Sequence, residues 1–395
     1  MKVYLDHSAT TGTDPEVLQQ MLPYFSEQFG NGSSQHFYGR EALRAIDLAR
    51  EQVARAIHAT PNEIYFTTGG TESDNWAIKG IAQSLRHKGD HIITSAVEHP
   101  AVLETCRRLE KEGFRVTYLG VDGDGAIDPR ALEDAIDDRT ILITIMTANN
   151  EIGTLMPIRE IGAIARAHGV VFHTDAVQAI GSVAIDVKQM GIDMLSMSAH
   201  KFYGPKGVGV LYKRNGLRVG RFMDGGEQER SMRAGTLNTP GIVGMGAAIE
   251  RAIAHMDDNN ARNAALRNYF VEQVLARIPD VRLNGPADWN RRLANNANFS
   301  FEYIEGESIL MCLDLAGIAV SSGSACSSGS LDPSHVLLAI GVPIESAHGS
   351  IRFSFGKSNT KEQVDYVLDK LVETVERLRA MSPLFQYVQG EQKYV

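Results

Sequence analysis

Cysteine is scarce in this chain, because Cys106, Cys312 and Cys326 are the only three among 395 residues and lie far apart. An odd number of widely spaced cysteines argues against a disulfide framework and against a zinc site. Unpaired thiols are typical of proteins in a reducing compartment. We therefore predict a cytoplasmic protein that binds no metal.

Long apolar runs and an excess of basic residues are also missing. No stretch is apolar for the roughly 20 residues that cross a bilayer, and the first residues lack the apolar core of a signal peptide. The formal net charge of -9 disfavours nucleic acid or an anionic membrane as the main partner. The contents of 43% hydrophobic and 22% charged residues are typical of a globular protein, and 395 residues favour two domains.

Short apolar runs alternate with amphipathic stretches up to about residue 258. The runs that predict strands are EIYFTTG, HIITSAV, RVTYLG, TILITIMTANN, GVVFHTDA, MLSMSAH and GVGVLY. Between many of them lie helical patterns, and this alternation predicts parallel strands with helices on both faces of the sheet. From about Asn259 the pattern changes to a long helix, the runs NANFSFEYI and HGSIRFSFG, and a closing helix, which predicts a smaller α+β domain.

Polar residues follow the predicted strands in four segments: TTGGTESDN, ANNEIG, HTDAVQAIG and SMSAHKFYGPKG. Ligands of such sheets bind beyond the carboxyl ends of the strands, so these segments are the candidates for a site. The glycines before the helical stretch at Thr71 favour phosphate binding at a helix N-terminus, although a simple helix cap has the same pattern. Asp175 could pair with a pyridinium nitrogen, or it could only cap a helix.

Lysine and histidine occupy two further strand ends. Lys201 is suited to forming a Schiff base once its surroundings lower its pKa. Lys206 is a rival, but its setting in GPKGVG is typical of an exposed turn. His99 could stack on a planar cofactor or move protons, although a lone histidine is often only structural. Pyridoxal 5'-phosphate (PLP) is the one cofactor that needs this whole set of groups.

One cysteine lies in an unusual setting. The segment VSSGSACSSGS places Cys326 among serines and glycines, a composition that indicates either a flexible linker or a thiol that must be reached and must move. Cys106 has helical spacing to Val102 and Leu109, and Cys312 lies in an apolar run, so both are predicted to be structural.

These motifs resemble the NifS/IscS-type cysteine desulfurases, in the class V aminotransferase group of PLP-dependent enzymes. The resemblance covers nearly the whole chain and rests on YLDHSATT, TGGTESDNWAIKG, EHPAV, NNEIG, HTDAVQAIG, SMSAHKFYGPKG, RAGTLNTPGIVG, SSGSACSSGSLDPSHVL and IRFSFG. It implies the PLP-dependent transferase fold of type I. In that fold a large domain (14–258) with a mostly parallel seven-stranded sheet joins a small α+β domain (1–13 and 259–395), which carries the cysteine loop at about 321–333.

The resemblance also implies a role for each site residue. Lys201 would carry PLP covalently, Asp175 would pair with its pyridinium nitrogen, and His99 would stack on its ring and exchange protons. Arg352 would bind the substrate carboxylate, and in a strand that buries Ile351 and Phe353 its side chain would point to the opposite face. The remaining cofactor ligands would be Gly70, Thr71, Asn150, Gln178, Ser198, His200 and, from the neighbouring subunit, Thr236; Asn150 would also contact substrate. Gly70 and Asp74 depart from the alanine and asparagine that are common in the family.

The implied reaction converts L-cysteine to L-alanine and leaves the sulfur on Cys326 as a persulfide. The enzyme would be a homodimer that hands sulfur to an acceptor protein such as an iron–sulfur scaffold. The length of the cysteine loop resembles the group that prefers cysteine over selenocysteine. Two other hypotheses are an aminotransferase or other lyase, in which Cys326 has no task, and a non-catalytic docking subunit, which should have lost Lys201, Asp175 or Cys326.

Overall fold

The structure, a computed structural model, describes residues 1–322 and 332–392. Its strands are β1 (Val3–Tyr4), β2 (Ile64–Thr67), β3 (His91–Ser95), β4 (Arg115–Leu119), β5 (Thr140–Thr144), β6 (Val171–Asp175), β7 (Met194–Ser198), β8 (Gly209–Lys213), β9 (Val281–Asn284), β10 (Asn296–Phe301), β11 (Ile318–Ala319), β12 (Ser321–Ser322) and β13 (Ser350–Ser354). Its helices are α1 (Pro15–Met21), α2 (Pro23–Ser26), α3 (Phe37–Ala56), α4 (Gly70–Leu85), α5 (Pro100–Lys111), α6 (Pro129–Ala135), α7 (Ile158–His168), α8 (Gln228–Ser231), α9 (Thr239–Ala254), α10 (Met256–Arg277), α11 (Gly306–Leu315), α12 (His335–Ala339), α13 (Ile344–His348), α14 (Lys361–Met381) and α15 (Pro383–Gln392).

The large sheet contains, among the described residues, the seven strands that the sequence predicts. Their order is β2-β8-β7-β6-β5-β3-β4. The pairs from β7 to β4 are parallel, whereas β8 runs antiparallel to both β7 and β2. Strand β2 therefore points in the same direction as the parallel strands. The carboxyl ends of β2, β3, β5, β6 and β7 consequently meet at one edge of the sheet.

The direction of β8 follows from the length of the connection that precedes it. Strand β7 ends at Ser198 and β8 begins at Gly209. A parallel crossover needs about a dozen residues or more, usually with a helix, whereas residues 199–208 form only a short 3₁₀ turn and a loop. The chain therefore returns antiparallel, and the mostly parallel sheet predicted from the sequence is confirmed.

Helices cover both faces of the large sheet. Neighbouring strand residues point to opposite faces, so Ile92 packs with Trp76 of α4 and Cys106 of α5, whereas Ile93 packs with Ile46 of α3 on the other side. Helix α3 begins where His36 accepts a hydrogen bond from the Gly39 amide at 3.3 Å. Within the described ranges, no helix combines the length and the apolarity that crossing a lipid bilayer requires.

A second sheet with the antiparallel order β12-β13-β10-β9 forms the smaller α+β unit. Its apolar face is filled by Phe270 of α10, Phe299 of β10, Phe353 of β13 and Leu371 of α14. The start of the chain belongs to this core, because Val3 and Leu5 pack into it and β1 pairs with β11. This separate core supports the proposed division into 14–258 and 1–13 with 259–395, although Leu293 and the apolar residues of α12 and α13 belong to the core of the large unit.

Candidate active site

A cavity of about 300 Å³ opens at the carboxyl edge of the large sheet. Ten of the residues singled out from the sequence line it, namely Gly70, Thr71, His99, Asn150, Asp175, Gln178, Ser198, His200, Lys201 and Arg352. Thr236 is exposed and does not line this cavity. Cys326 lies outside the described residues. Segments far apart in the chain therefore converge because their strands end side by side.

Lys201 closes the short 3₁₀ turn that follows β7. Its Nζ donates hydrogen bonds to the carbonyl oxygens of Ser8 at 2.6 Å and Ala9 at 2.8 Å. The amide of Thr11 in turn donates to the His200 carbonyl at 2.9 Å, which fastens the N-terminal segment against the lysine turn. The beginning of the chain thus forms one wall of the cavity.

Asp175 is the last residue of β6, and its carboxylate is buried. It accepts a hydrogen bond from the Val177 amide at 2.8 Å. Burial raises the pKa of Asp175 to about 6, against the lowering effects of that hydrogen bond and of the Lys201 charge. A buried carboxylate with a nearby cation is the group that a protonated ring nitrogen would pair with.

Helix α4 begins at the same edge, and its first two residues, Gly70 and Thr71, line the cavity. A Cβ on Gly70 would lie 2.6 Å from Cγ2 of Val177, so a larger residue would require Val177 to move. A helix N-terminus that begins with glycine has no side chain in the way of a phosphate group, and the positive end of the helix dipole attracts that anion. Helix α4 has 16 residues, which is enough for that dipole to develop.

His99 caps helix α5, because its Nδ1 accepts a hydrogen bond from the Ala101 amide at 3.1 Å. Burial, and to a smaller extent the charges of Lys201 and His335, lower the pKa of His99 to about 4. The ring is therefore neutral near pH 7. Since Nδ1 accepts a hydrogen bond, the ring proton lies on Nε2.

Two polar residues around the lysine turn complete the phosphate side of the cavity. Ser198 ends β7, and His200 follows it with Nδ1 3.0 Å from Oγ1 of Thr10. Burial lowers the pKa of His200 to about 4, together with the charges of Lys201 and Lys206. A neutral imidazole and a hydroxyl can both donate hydrogen bonds to phosphate oxygens.

Arg352 enters the cavity from strand β13, and its side chain is almost completely buried. Nη1 donates to the Asn150 carbonyl at 3.0 Å, and Nη2 donates to Oδ1 of Asp6 at 2.9 Å. Among the described residues, Nε has no hydrogen-bond partner. Ile351 and Phe353 point into the core of the small unit, so the side-chain alternation predicted for this strand is confirmed.

The remaining predicted ligands differ in their contacts. The Gln178 amide donates from Nε2 to the Ser8 carbonyl at 2.9 Å, so it also holds the N-terminal wall. Thr236 lies on an exposed stretch whose neighbour Arg233 pairs with Glu72 of α4 at 2.8 Å. That ion pair fastens the Thr236 segment beside the start of α4 but leaves its side chain outside the cavity.

The structure adds cavity residues that the sequence reasoning did not select, namely Ser8, Ala9, Asp74, Met146, Ala148 and Val177. Asp74 is the chemically notable one, because it is a buried carboxyl group. Its spacing after Gly70 was an available signal, since residues four apart lie on one face of a helix. Of the two cysteines predicted to be structural, Cys106 is buried and Cys312 is half-buried.

The groups of this cavity fit PLP. They supply a buried carboxylate for the ring nitrogen, a lysine amine, a glycine-lined helix N-terminus for the phosphate, and hydroxyl and imidazole donors beside it. The Arg352 Nε–H without a partner is a donor available to a substrate carboxylate.

Comparison with known proteins agrees with the resemblance found in the sequence motifs. The profile of the "Aminotransferase class-V" family matches residues 3–367. The "Cysteine desulfurase IscS" of Clostridium botulinum strain Hall is 56% identical over 385 residues, which cover 98% of this chain and 97% of that protein. A solved "NifS-like protein" superposes with a TM-score of 0.90 at 38% identity, covering 96% of this chain and 100% of its own. "SspA in complex with cysteine" superposes with a TM-score of 0.80 at 39% identity, covering 91% and 100%.

Proposed function

This chain belongs to the class-V aminotransferase family, and we propose that it is a PLP-dependent cysteine desulfurase that converts L-cysteine to L-alanine and passes the sulfur on. The observation that carries this proposal is the convergence of Lys201, Asp175 and Arg352 on one cavity. The similarity to relatives that are named cysteine desulfurases supports the choice of reaction within the family.

The cavity residues divide between cofactor and substrate. Lys201 would hold PLP covalently, Asp175 would pair with its ring nitrogen, and His99 would stack on its ring. Gly70 and Thr71 at the start of α4, together with Ser198 and His200, would bind the phosphate. Gln178 and Asn150 would contact the cofactor oxygen, and Asn150 would also contact substrate. Arg352 binds the substrate carboxylate, a role that its buried, planar guanidinium suits. Bound PLP supplies an electron sink for bonds broken at the substrate Cα.

Proton transfer at the substrate Cα falls to Lys201. Lys201 lines the cavity, and its amine donates hydrogen bonds to the carbonyl oxygens of Ser8 and Ala9. The carboxylate of Asp175 supplies a negative charge to the cavity, while the neutral His99 can donate a proton from Nε2. In this proposal Lys201 acts as the base and His99 as the proton donor within the same cavity.

Sulfur transfer requires a nucleophile, and we assign this role to Cys326. The Cys326 thiolate attacks the substrate sulfur, an S–S bond forms, and the substrate C–S bond breaks. The electron pair of the broken bond stays with the substrate carbon, which takes up a proton to become the methyl group of L-alanine. The balance is L-cysteine plus enzyme thiol to L-alanine plus enzyme persulfide, without any external oxidant.

We further propose a homodimer in which Thr236 of each subunit reaches the phosphate site of the other. Thr236 is exposed and lies outside the cavity of its own chain, and the Arg233–Glu72 ion pair fixes its segment close to α4. A cytoplasmic location and an acceptor protein such as an iron–sulfur scaffold complete the proposal. The unpaired thiols of Cys106 and Cys312 support a reducing compartment.

The decisive assay incubates the PLP-loaded protein with L-cysteine and a thiol reductant, without any 2-oxo acid. We expect L-alanine and sulfide in equal amounts over many turnovers. An aminotransferase would instead require a 2-oxo acid and release no sulfide. A docking subunit would release neither product, and either of these results would overturn the assignment.

Replacing Arg352 with lysine should raise KM for L-cysteine by roughly a hundredfold, because lysine keeps the charge but cannot reproduce the planar guanidinium that donates to Asn150 and Asp6 and leaves Nε–H for substrate. Steady-state kinetics of L-alanine release measure this effect. Arg282→Lys is the matched control, since Arg282 is an exposed arginine of the same sheet. An unchanged KM in Arg352→Lys would remove Arg352 from the substrate site.

A further inference from the structure

Asp74 is a second carboxyl group in the cavity that contains Asp175. It lies in the first turns of helix α4, and only 1% of its surface is exposed. Both carboxyl groups line the same cavity, and the charge of Asp175 acts directly on Asp74. Two carboxylates in one buried site cannot both be ionised without a large electrostatic cost.

The hydrogen-bond partners of Asp74 are too few for an ionised carboxylate. Among the described residues, its Oδ1 accepts no hydrogen bond. The nearest basic nitrogen in the described ranges is Nε2 of His173 at 3.6 Å. That ring is already engaged, because Nδ1 lies 2.8 Å from Oγ1 of Thr144 and Nε2 lies 3.0 Å from Oγ of Ser196.

Asp175 has the surroundings of the ionised partner. It accepts a backbone hydrogen bond from Val177 and lies within the field of the Lys201 charge. Asp74 has no comparable backbone donor and no lysine or arginine within ion-pair distance in the described part of the chain. The geometry therefore places the negative charge of the pair on Asp175.

The titratable groups that face Asp74 agree with this assignment. They are His173 and Asp175 of β6 and Glu98, which follows β3. Burial lowers the pKa of His173 to about 3, so this ring contributes no positive charge. Burial first, and then the charge of Asp175, raises the pKa of Asp74 well above its ordinary value; the Ser196 hydroxyl lowers it, and Glu98 raises it further.

We propose that Asp74 is a positioning residue for Asp175, and that it acts as a neutral carboxylic acid which leaves the single negative charge of the pair on the carboxylate facing the cofactor nitrogen. This inference rests on the proposed PLP site. It explains how Asp74 and Asp175 coexist as two buried acids in one cavity. The site then requires Asp74 to be protonated and therefore uncharged.

Matched isosteric substitutions of the two acids test this charge assignment. In the PLP-loaded protein, without substrate, the absorbance of the cofactor is titrated against pH in wild type, Asp74→Asn and Asp175→Asn. We expect the Asp74→Asn midpoint to coincide with the wild-type midpoint, because one neutral group replaces another. Asp175→Asn should lower the midpoint, because it removes the negative charge that favours the protonated chromophore. A lowered midpoint in Asp74→Asn would overturn the proposal.

A third variant separates hydrogen bonding from packing. Asp74→Leu has a similar volume but offers no polar group to Ser196 and His173, so we expect cofactor affinity to fall about tenfold. Equilibrium dialysis against PLP measures this loss, which Asp74→Asn should rescue. Wild-type affinity in Asp74→Leu would show that the carboxyl group positions nothing, and the proposal would fail.

The pH dependence of unfolding supplies a test that needs neither PLP nor turnover. A carboxyl with a raised pKa in the folded state binds a proton that the unfolded chain has released, so its contribution to stability falls as pH rises above about 4. Asp74→Asn does not lose stability in this way, because asparagine does not ionise. The unfolding midpoint of Asp74→Asn minus that of wild type should therefore increase between about pH 5 and 8. A constant difference would contradict a protonated Asp74, even in a protein that proved to be a desulfurase.

Discussion

The Cys326→Ser variant is expected to release L-alanine from L-cysteine at least about a thousandfold more slowly than wild type, the scale on which removal of a catalytic nucleophile acts. A serine hydroxyl is not ionised near neutral pH, whereas a cysteine thiol supplies the thiolate that attacks sulfur. The cavity residues are untouched, so PLP absorbance and affinity should remain those of wild type. Alanine release and the cofactor spectrum, measured on the same preparation, check both parts.

Cys312→Ser is the matched control for this variant. Cys312 is a half-buried thiol on helix α11, and Arg377 Nη2 lies 3.0 Å from its sulfur, away from the cavity. We expect its rate of alanine release to stay close to wild type. Equal rates in wild type and Cys326→Ser would mean that another group accepts the sulfur. Alanine release would then still indicate PLP chemistry on L-cysteine, but without an enzyme persulfide at Cys326.

The second large effect is expected for Lys201→Ala, which should lower turnover by about a thousandfold or more, because it removes the proposed covalent anchor and the proposed base at the substrate Cα. Borohydride reduction of the loaded wild-type protein should attach the cofactor irreversibly to the peptide that contains Lys201. The variant should lose this label, and its absorbance should no longer be that of a lysine adduct. Mass spectrometry of the reduced, digested protein makes the comparison.

Lys206→Ala distinguishes the two lysines of the segment SMSAHKFYGPKG. Lys206 is exposed and does not line the cavity, so its variant should keep the label, the absorbance and the rate. A label that survived in Lys201→Ala and vanished in Lys206→Ala would reverse the assignment. The structure argues against this reversal, because the Lys201 Nζ is held at Ser8 and Ala9 inside the cavity.

Much of the large sheet was predictable from the chain alone. Strand runs such as HIITS and MLSMS are mainly apolar and β-forming, and every residue of both strands is buried. Polar residues at or just after strand ends pointed to the site, so Asp175, Ser198 and Lys201 were predicted without coordinates. The rule that ligands bind at the carboxyl ends of parallel strands turned separate motifs into one predicted cavity.

The N-terminal wall and Asp74 were not predictable by the same reasoning. Ser8 and Ala9 contact Lys201 through backbone carbonyls, and backbone groups leave no signature in residue type. The spacing of Asp74 after Gly70 places both residues on one face of α4, but the burial of Asp74 beside Asp175 appears only in the tertiary structure. The apolar pattern of β8 likewise does not reveal its antiparallel direction, which follows from the short connection between β7 and β8.

The sequence by itself determined the alternating order of strands and helices, the lysine, the carboxylate and the glycine-led helix of the cavity, and the setting of Cys326. These features are local, because periodicity, turn chemistry and residue type are written in neighbouring positions. The tertiary structure alone decided which distant groups meet: Arg352 with Asp6, Lys201 with the N-terminal carbonyls, and Asp74 with Asp175. Such contacts depend on how strands are ordered and how faces pack, and burial then shifts the pKa of each group that the fold brings together.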